Sequence, residues 1–375
     1  MTEPLATLRT WSAAPLTAEV ARSADRLRHL PDVQHVVLLP DVHLASDVCV
    51  GAVVATTHLI YPAAVGGDIG CGMATAALDA SAELLDDEVR AGRMLSALYR
   101  HVPSNRHVAR RDFPGDWESS PLSHPALRAL ANRDGRVQLG TLGRGNHFLE
   151  FQADADQRLW VVVHSGSRGV GQAITRQHTR ESRPGSGLVG LDAEGAAGQA
   201  YLADVAWARS YAAENRLAML RAVEAILREE FASAVDWTTL VHSDHDHVRR
   251  ERHFGELLWV HRKGAQPAEA GEAGIIPGSM GTATFQVVGR GCPEALRSCS
   301  HGAGRELSRT MARWSIGVGA FERQLRGIWF DRRRSAALLE EAPAAYKEIG
   351  QVLRAQGDLV KIVRRLEPRL SYKGY

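Results

Sequence analysis

Hydrophobic positions along the chain fall into short β-branched runs broken by glycine-rich turns, with a few longer stretches at helical spacing between them. Leu5 to Leu30 reads as a strand and a helix, because Pro15-Leu-Thr leads an apolar repeat interleaved with Arg and Asp. Val33 to Leu39 is apolar and β-branched, which predicts a buried strand ending in Pro40-Asp-Val-His43. Val48–Val54, Thr56–Ile60 and Thr75–Leu78 are expected as strands, and Ala82–Val102 as a helix. Charge, proline and serine make residues 103–123 a loop, with a short helix at Pro125–Asn132. Further strands are expected at Phe148–Phe151, Trp160–His164, Leu257–Val260 and Phe285–Val288. Gly198 to Phe231 has Ala, Leu, Glu and Arg at helical spacing and no later Gly or Pro, predicting a packed helix or helix pair with no chemistry of its own. A helix is expected to open at His301, and the remaining chain to be mostly helical and basic.

Composition narrows this picture only a little. A length of 375 residues allows one large domain or two small ones, and 45% hydrophobic with 23% charged residues is ordinary for a globular protein. No apolar run reaches membrane-spanning length, and the first residues lack the basic, apolar, small-residue order of a signal peptide. Cys49, Cys71, Cys292 and Cys299 suit a reducing compartment better than a disulfide framework. A cytoplasmic location without a membrane partner is therefore expected. The net charge of +2 does not mark a nucleic-acid binder, but from Arg305 onward 15 basic residues stand against 8 acidic ones. That excess fits a face turned to a polyanion and equally a set of solvated helix faces.

The candidate chemistry lies in the turns. Tyr61 to Met73 carries Gly66, Gly67, Gly70 and Gly72 around Asp68 and Cys71. A carboxylate and a thiol three residues apart on such a turn can reach one ion or two adjacent ions. Read alone, the stretch is equally a tight turn with a buried cysteine and a capping aspartate. Asp41 and His43 sit at a strand end on one face, either as a simple turn or as partners that orient metal ligands. Gly140-Thr-Leu-Gly-Arg-Gly-Asn-His147 can offer backbone N–H groups to a phosphate and an imidazole to a metal. It lacks both the Gly-Lys-Ser/Thr ending of a Walker loop and the following helix of a dinucleotide fold. His164-Ser-Gly-Ser-Arg168 adds a strand-end imidazole with hydroxyls and a guanidinium suited to phosphate oxygens. Val241-His-Ser-Asp-His-Asp-His247 is a rich supply of ligands, and period two would put His245 and His247 on one side. Finally, Pro277-Gly-Ser-Met280 and His301-Gly-Ala-Gly304 are turns; a helix opening at the second would lower the His301 pKa and favour the neutral, nucleophilic imidazole.

Taken in order, these segments resemble the RtcB-type RNA ligase family, the GTP-dependent ligases of tRNA splicing and RNA repair. The resemblance is carried by Pro40–His43, Val65–Met73, Leu139–Glu150, His164–Gly169, Trp259–Ala265, Pro277–Gly281, His301–Arg305 with Ser308-Arg309, and Lys373-Gly374, so it spans about residue 36 to the end. It implies an α+β fold over residues 1–375 as one RtcB-like domain, with mixed β-sheets around a central metal cleft and helices outside. Two Mn²⁺ ions are implied, one held by Asp68, Cys71 and His147 and the other by Cys71, His164 and His245. His301 matches the nucleophile that takes GMP from GTP. The matching nucleotide contacts are Asn146, His147, Phe148, Leu149 and Glu150, then Asp246, then Pro277, Gly278, Ser279 and Met280, then Thr284, His301, Gly302, Ala303 and Gly304, and finally Lys373. The implied partners are RNA ends, a 3′-phosphate or 2′,3′-cyclic phosphate and a 5′-hydroxyl, with room for an activating protein.

Several positions depart from the family pattern. Asp246 stands where Asn is usual, Thr284 replaces Ser, Gly67 replaces Val and Arg144 replaces Thr. An added carboxylate beside a triphosphate repels it unless a cation compensates. The same residues also admit a metal-dependent phosphoesterase that heals RNA ends, or a non-catalytic RNA-binding relative. The intact set of Asp68, Cys71, His147, His164, His245 and His301 speaks against the last of these.

Overall fold

A computed structural model describes residues 5–12, 14–114, 117, 122–180 and 188–374. Part of the expected 103–123 loop lies outside them. The architecture is α+β, built on two large sheets. In the first, strands run in the order Thr7–Thr10, Val33–His43, Val50–Thr56, Glu256–Lys263 and Asp246–His253. The opening pair is parallel and the others antiparallel. The second sheet has seven strands in the order Ala273–Pro277, Thr284–Gly289, Val360–Lys373, Phe148–Ala153, Arg158–Ser165, Gly72–Ser81 and Val235–Asp244, antiparallel throughout.

Val161, Val163, Leu149 and Phe151 place alternate side chains of the central strands into the largest core, where Met219, Leu220, Val223 and Leu227 of the long helix Ala196–Phe231 cover them. That helix is continuous. Its Ala-rich composition lets the backbone lie close to the sheet, and Ala232 ends it in the left-handed conformation. The expected helix at Ala82–Val102 divides into a 3₁₀ turn, Ala82–Leu85, and a helix, Glu88–His101, because the Asp87 side chain accepts a hydrogen bond from the Arg90 N–H and restarts the helix there.

The largest departure from expectation is at the C-terminal end. Short helices occupy 309–355, but Val360–Lys373 is a 14-residue strand in the interior of the seven-stranded sheet. Its Lys and Arg residues disguise it. Val360, Leu366, Leu370 and Tyr372 are buried while Lys361, Ile362 and Val363 are exposed; residues 360–366 pair with Thr284–Gly289 and residues 367–373 with Phe148–Ala153, and buried and half-buried positions alternate only from Leu366 to Leu370. Among the described residues, no helix is long and apolar enough to cross a membrane.

Candidate active site

The Asp68–Cys71 turn is closed by the Cys71 N–H bonding the Asp68 carbonyl at 2.8 Å. Gly70 has φ +74°, and a Cβ there would lie 2.8 Å from the Arg209 Cα, so this glycine lets the turn sit directly on the long helix. From the turn, Asp68 and Cys71 meet His147 and His164, which come from the start and end of neighbouring strands of one sheet. His245 occupies the break between Val235–Asp244 and Asp246–His253 and is fixed by its N–H to the Cys71 carbonyl at 2.8 Å.

The donor atoms form two groups that share one sulfur. Asp68, Cys71 and His147 make one group, and Cys71, His164 and His245 the other, with the atoms of each within 4.8 Å of one another. Asp68 Oδ2 is 2.9 Å from His147 Nε2. Cys71 Sγ is 3.5 Å from His147 Nε2 and 3.3 Å from His164 Nε2. His164 Nε2 lies 3.2 Å from His245 Nε2. Because His164 Nδ1 donates to the Asn146 carbonyl at 3.1 Å, its Nε2 presents a lone pair to these neighbours. Among the described residues, Asp68 Oδ1 is buried and has no hydrogen-bond partner. Lone pairs and an orphan carboxylate oxygen turned toward one another are costly unless a cation sits among them. The N, O and S donor set therefore fits divalent transition ions.

The electrostatics agree. Burial holds His164 and His245 well below the usual imidazole pKa, so both are neutral donors. Burial acts against the Asp68 carboxylate, but His147, Arg168 and His164 hold it down at about 2. Burial, then Asp68 and Asp246, push the Cys71 thiol well up, so it keeps its proton until a cation displaces it.

His301 stands beside these groups, its ring centroid 4.8 Å from that of His245. Two expectations change here. First, no helix opens at His301. The strand Ser298–Ser300 delivers it to a turn, and the next helix starts at Arg309 with Ser308 as its cap. Second, the His301 pKa is raised. Burial lowers it, but the fully buried Asp41 carboxylate, with Asp246 and a backbone bond to Gly264, outweighs burial. Asp41 Oδ2 accepts from both His301 Nδ1 at 2.6 Å and the His301 N–H at 3.1 Å. Asp41 thus orients His301 and no metal donor. His43 turns its Nδ1 to the Asp41 carbonyl, and burial first holds it down at about 4. His247, on which period two focused attention, pairs with Asp244 at 3.1 Å and stays out of the donor groups.

A cleft of about 690 Å³ opens over His301. Asn146, Phe148, Glu150, Pro277, Gly278, Ser279, Met280, Gly302, Ala303, Gly304 and Lys373 all line it. Leu149 points into the core, and Thr284 is buried behind the cleft, where Gln152 bonds its hydroxyl at 3.0 Å. Asp246 lies outside the cleft lining. The Gly264 N–H bonds it at 2.6 Å, and its carboxyl is pushed up to about 7 by burial and Asp68, against that bond and the His301 and Lys263 charges. Part of its extra charge is thereby muted. The sequence reading missed another wall of the cleft, Ser12, Ala14 to Thr17, Glu19 and Val20, and also Lys347, whose ammonium bonds the Pro40 and Val42 carbonyls at 3.1 and 2.7 Å. Nothing local to those residues marks them, whereas Asp-x-His at a strand end did flag Asp41.

Comparison with known proteins gives concordant matches. The family model described as "tRNA-splicing ligase RtcB" matches residues 23–125 and 115–374. The RNA-splicing ligase RtcB of Escherichia coli K12 is 36% identical over 409 aligned positions, covering 100% of this chain and 99% of that protein. The RNA-splicing ligase RtcB of Mycobacterium tuberculosis H37Rv is 29% identical, with 90% and 96% covered. The tRNA-splicing ligase RtcB of Nanoarchaeum equitans is 28% identical, with 91% and 88% covered.

Proposed function

The chain belongs to the RtcB family of RNA-splicing ligases, and from that premise we propose that it joins RNA ends at the cleft over His301. The substrates are an RNA 3′-phosphate, or a 2′,3′-cyclic phosphate opened to it, and an RNA 5′-hydroxyl. GTP is the co-substrate. The observation that carries this reading is the placement of an Asp41-held imidazole against two donor groups that share Cys71.

Asp68, Cys71 and His147 would hold one Mn²⁺, and Cys71, His164 and His245 the other; Zn²⁺ or Co²⁺ would compete on affinity alone. Bound divalent ions supply positive charge against the phosphates. Asp41 commits the His301 Nδ1 proton, which leaves Nε2 as the attacking nitrogen. Nε2 forms a bond to the α-phosphorus of GTP as the bond to the β-phosphate oxygen breaks, and pyrophosphate leaves. The GMP then passes to the RNA 3′-phosphate, and His301 recovers its lone pair. The 5′-hydroxyl attacks that activated end, its proton is lost and GMP departs. Activation is required because a bare 3′-phosphate lacks a good leaving group. The Gly278 and Gly302 turns expose backbone to the triphosphate, while Glu150 and Lys373 face the cleft from adjacent strands. The four free cysteines suit a cytoplasmic setting.

The test is incubation of the purified protein with Mn²⁺ and [α-³²P]GTP, beside ATP, followed by a denaturing gel. An acid-labile labelled band from GTP, absent in His301→Ala, is expected. No band from metal-loaded protein would overturn guanylylation and leave the phosphoesterase chemistry.

A further inference from the structure

The long helix Ala196–Phe231 has a second role beside covering the core. Two consecutive polar residues, Asn215 and Arg216, lie on its buried face, 0% and 1% exposed. Asn215 Oδ1 accepts from the Gly140 and Thr141 N–H groups at 2.7 and 3.2 Å. Its Nδ2 donates to the Thr141 carbonyl at 3.1 Å and to Ser165 Oγ at 3.0 Å. Ser165 Oγ in turn donates to the Leu142 carbonyl at 2.7 Å, the same carbonyl that the His147 ring contacts at 3.1 Å. Arg216 Nη1 donates to the Gly70 carbonyl at 2.8 Å and the Ser165 carbonyl at 2.7 Å, and Nε donates to His242 Nε2 at 2.7 Å. The Gly140 loop that leads to His147, the Asp68–Cys71 turn and the turn after His164 are thus all tied to two adjacent side chains.

We propose that Asn215 and Arg216 are positioning residues for the paired donor groups, holding three separate backbone turns in the one register that brings Asp68, Cys71, His147 and His164 together. The proposal rests on the metal-centre reading above. A buried guanidinium is expensive, by several kcal/mol for the ion alone. Among the described residues, no carboxylate lies within ion-pair distance of this one. Its donors go to the Gly70 and Ser165 carbonyls and to the His242 ring. An apolar residue at 216 would leave the Gly70 and Ser165 carbonyls short of a partner. The same guanidinium lies within the field of Asp244 and Asp68, so it offsets these carboxylates before any ion arrives.

Co²⁺ is the probe, because its thiolate charge-transfer band reports the Cys71 bond and its ligand-field bands report geometry. Wild type, Arg216→Gln, Arg216→Lys and Asn215→Ala are titrated with Co²⁺ alone and their unfolding midpoints recorded. Arg262→Gln is the control, since Arg262 is equally buried but bonds Glu251, Ser298 and the Leu296 carbonyl instead of the donor turns. The position-215 and position-216 variants are expected to weaken Co²⁺ binding by about 10- to 100-fold and to alter the bands, with Arg262→Gln binding as wild type. Equal binding in all variants, or an equal loss in Arg262→Gln, overturns the proposal. Arg216→Lys keeps a buried cation but loses the Nε donor to His242 and the reach of Nη1, so it carries the test should Arg216→Gln fail to fold. A wild-type protein that takes up no Co²⁺ defeats the metal-centre reading itself, a result distinct from either variant outcome.

Discussion

Replacing Asp41 with Asn removes one charge and almost no volume, 260 residues away in sequence from the imidazole it holds. In the folded protein Asp41 Oδ2 receives a charge-assisted bond of 2.6 Å from His301 Nδ1 and a backbone bond of 3.1 Å. Charge-assisted bonds contribute roughly 1.5–3 kcal/mol. The Asn oxygen can keep one neutral bond of about 1 kcal/mol, so the net loss is roughly 1–2 kcal/mol. The amide nitrogen adds a further cost, because the other oxygen position, Oδ1, is buried without a partner and an N–H₂ there would be unsatisfied. That second cost falls on folding and is shared by ground and transition states, so the bond loss alone, roughly 1–2 kcal/mol, sets a fall of about 5- to 30-fold in the rate of GTP labelling. The assay is single-turnover labelling at several GTP concentrations, with bound metal measured on the same samples. The maximal rate should fall, while the half-saturating GTP concentration and the metal content stay near wild type. An unchanged maximal rate would refute the orienting role. A loss that tracks lost metal would show that Asp41 supports the donor groups instead.

Other expectations follow from single contacts. Cys71→Ala should lose metal and labelling together, because both donor groups use its sulfur, whereas His301→Ala should lose labelling at unchanged metal content. Metal analysis of both proteins checks this. Gly70→Ala forces φ +74° on a residue with a Cβ 2.8 Å from the Arg209 Cα, so it should cost more than about 1 kcal/mol and lower Tm by a few degrees; a wild-type Tm would show that the turn and the helix can separate. Asp32→Asn removes a carboxylate that accepts the N–H groups of Thr57, His58 and Leu59. Burial acts against its ionisation, but Thr57 and these N–H groups hold its pKa below the usual value. Its stabilisation is therefore complete above the unfolded pKa of about 4 and is lost as pH falls through the lowered folded value. The gap in urea midpoint between wild type and Asp32→Asn should be open at pH 7 and narrow as pH falls below the unfolded value of about 4; a constant gap would place the effect elsewhere.

Local chemistry made much of the site legible. Asp68, Cys71, His147 and His164 stand out because glycine turns and strand ends are where a chain can present a polar side chain at a buried centre. His245 was visible only as one histidine of three, since a break between strands, which period two cannot show, decides which of them faces inward. The His301 shift had the wrong sign in the sequence reading. That reading placed a helix terminus beside the ring, while the actual neighbour is Asp41, brought there by tertiary packing alone. Asn215 and Arg216 were invisible because they sit in an Ala- and Leu-rich helical pattern that reads as packing. The strand Val360–Lys373 was lost to its cationic residues, which long stems let a half-covered strand carry.

That strand also sets the order in which the molecule can be completed. Within the seven-stranded sheet it lies between Thr284–Gly289 and Phe148–Ala153, yet it is the furthest along the chain of all seven. As the polypeptide leaves the ribosome, the other six strands emerge first and face an empty slot. Two edges wait unpaired, Thr284–Gly289 for residues 360–366 and Phe148–Ala153 for residues 367–373. Until Val360–Lys373 zips in, Lys373 is absent from the cleft lining. The cleft is therefore completed in one late, non-local step, and those edges stay open until it happens.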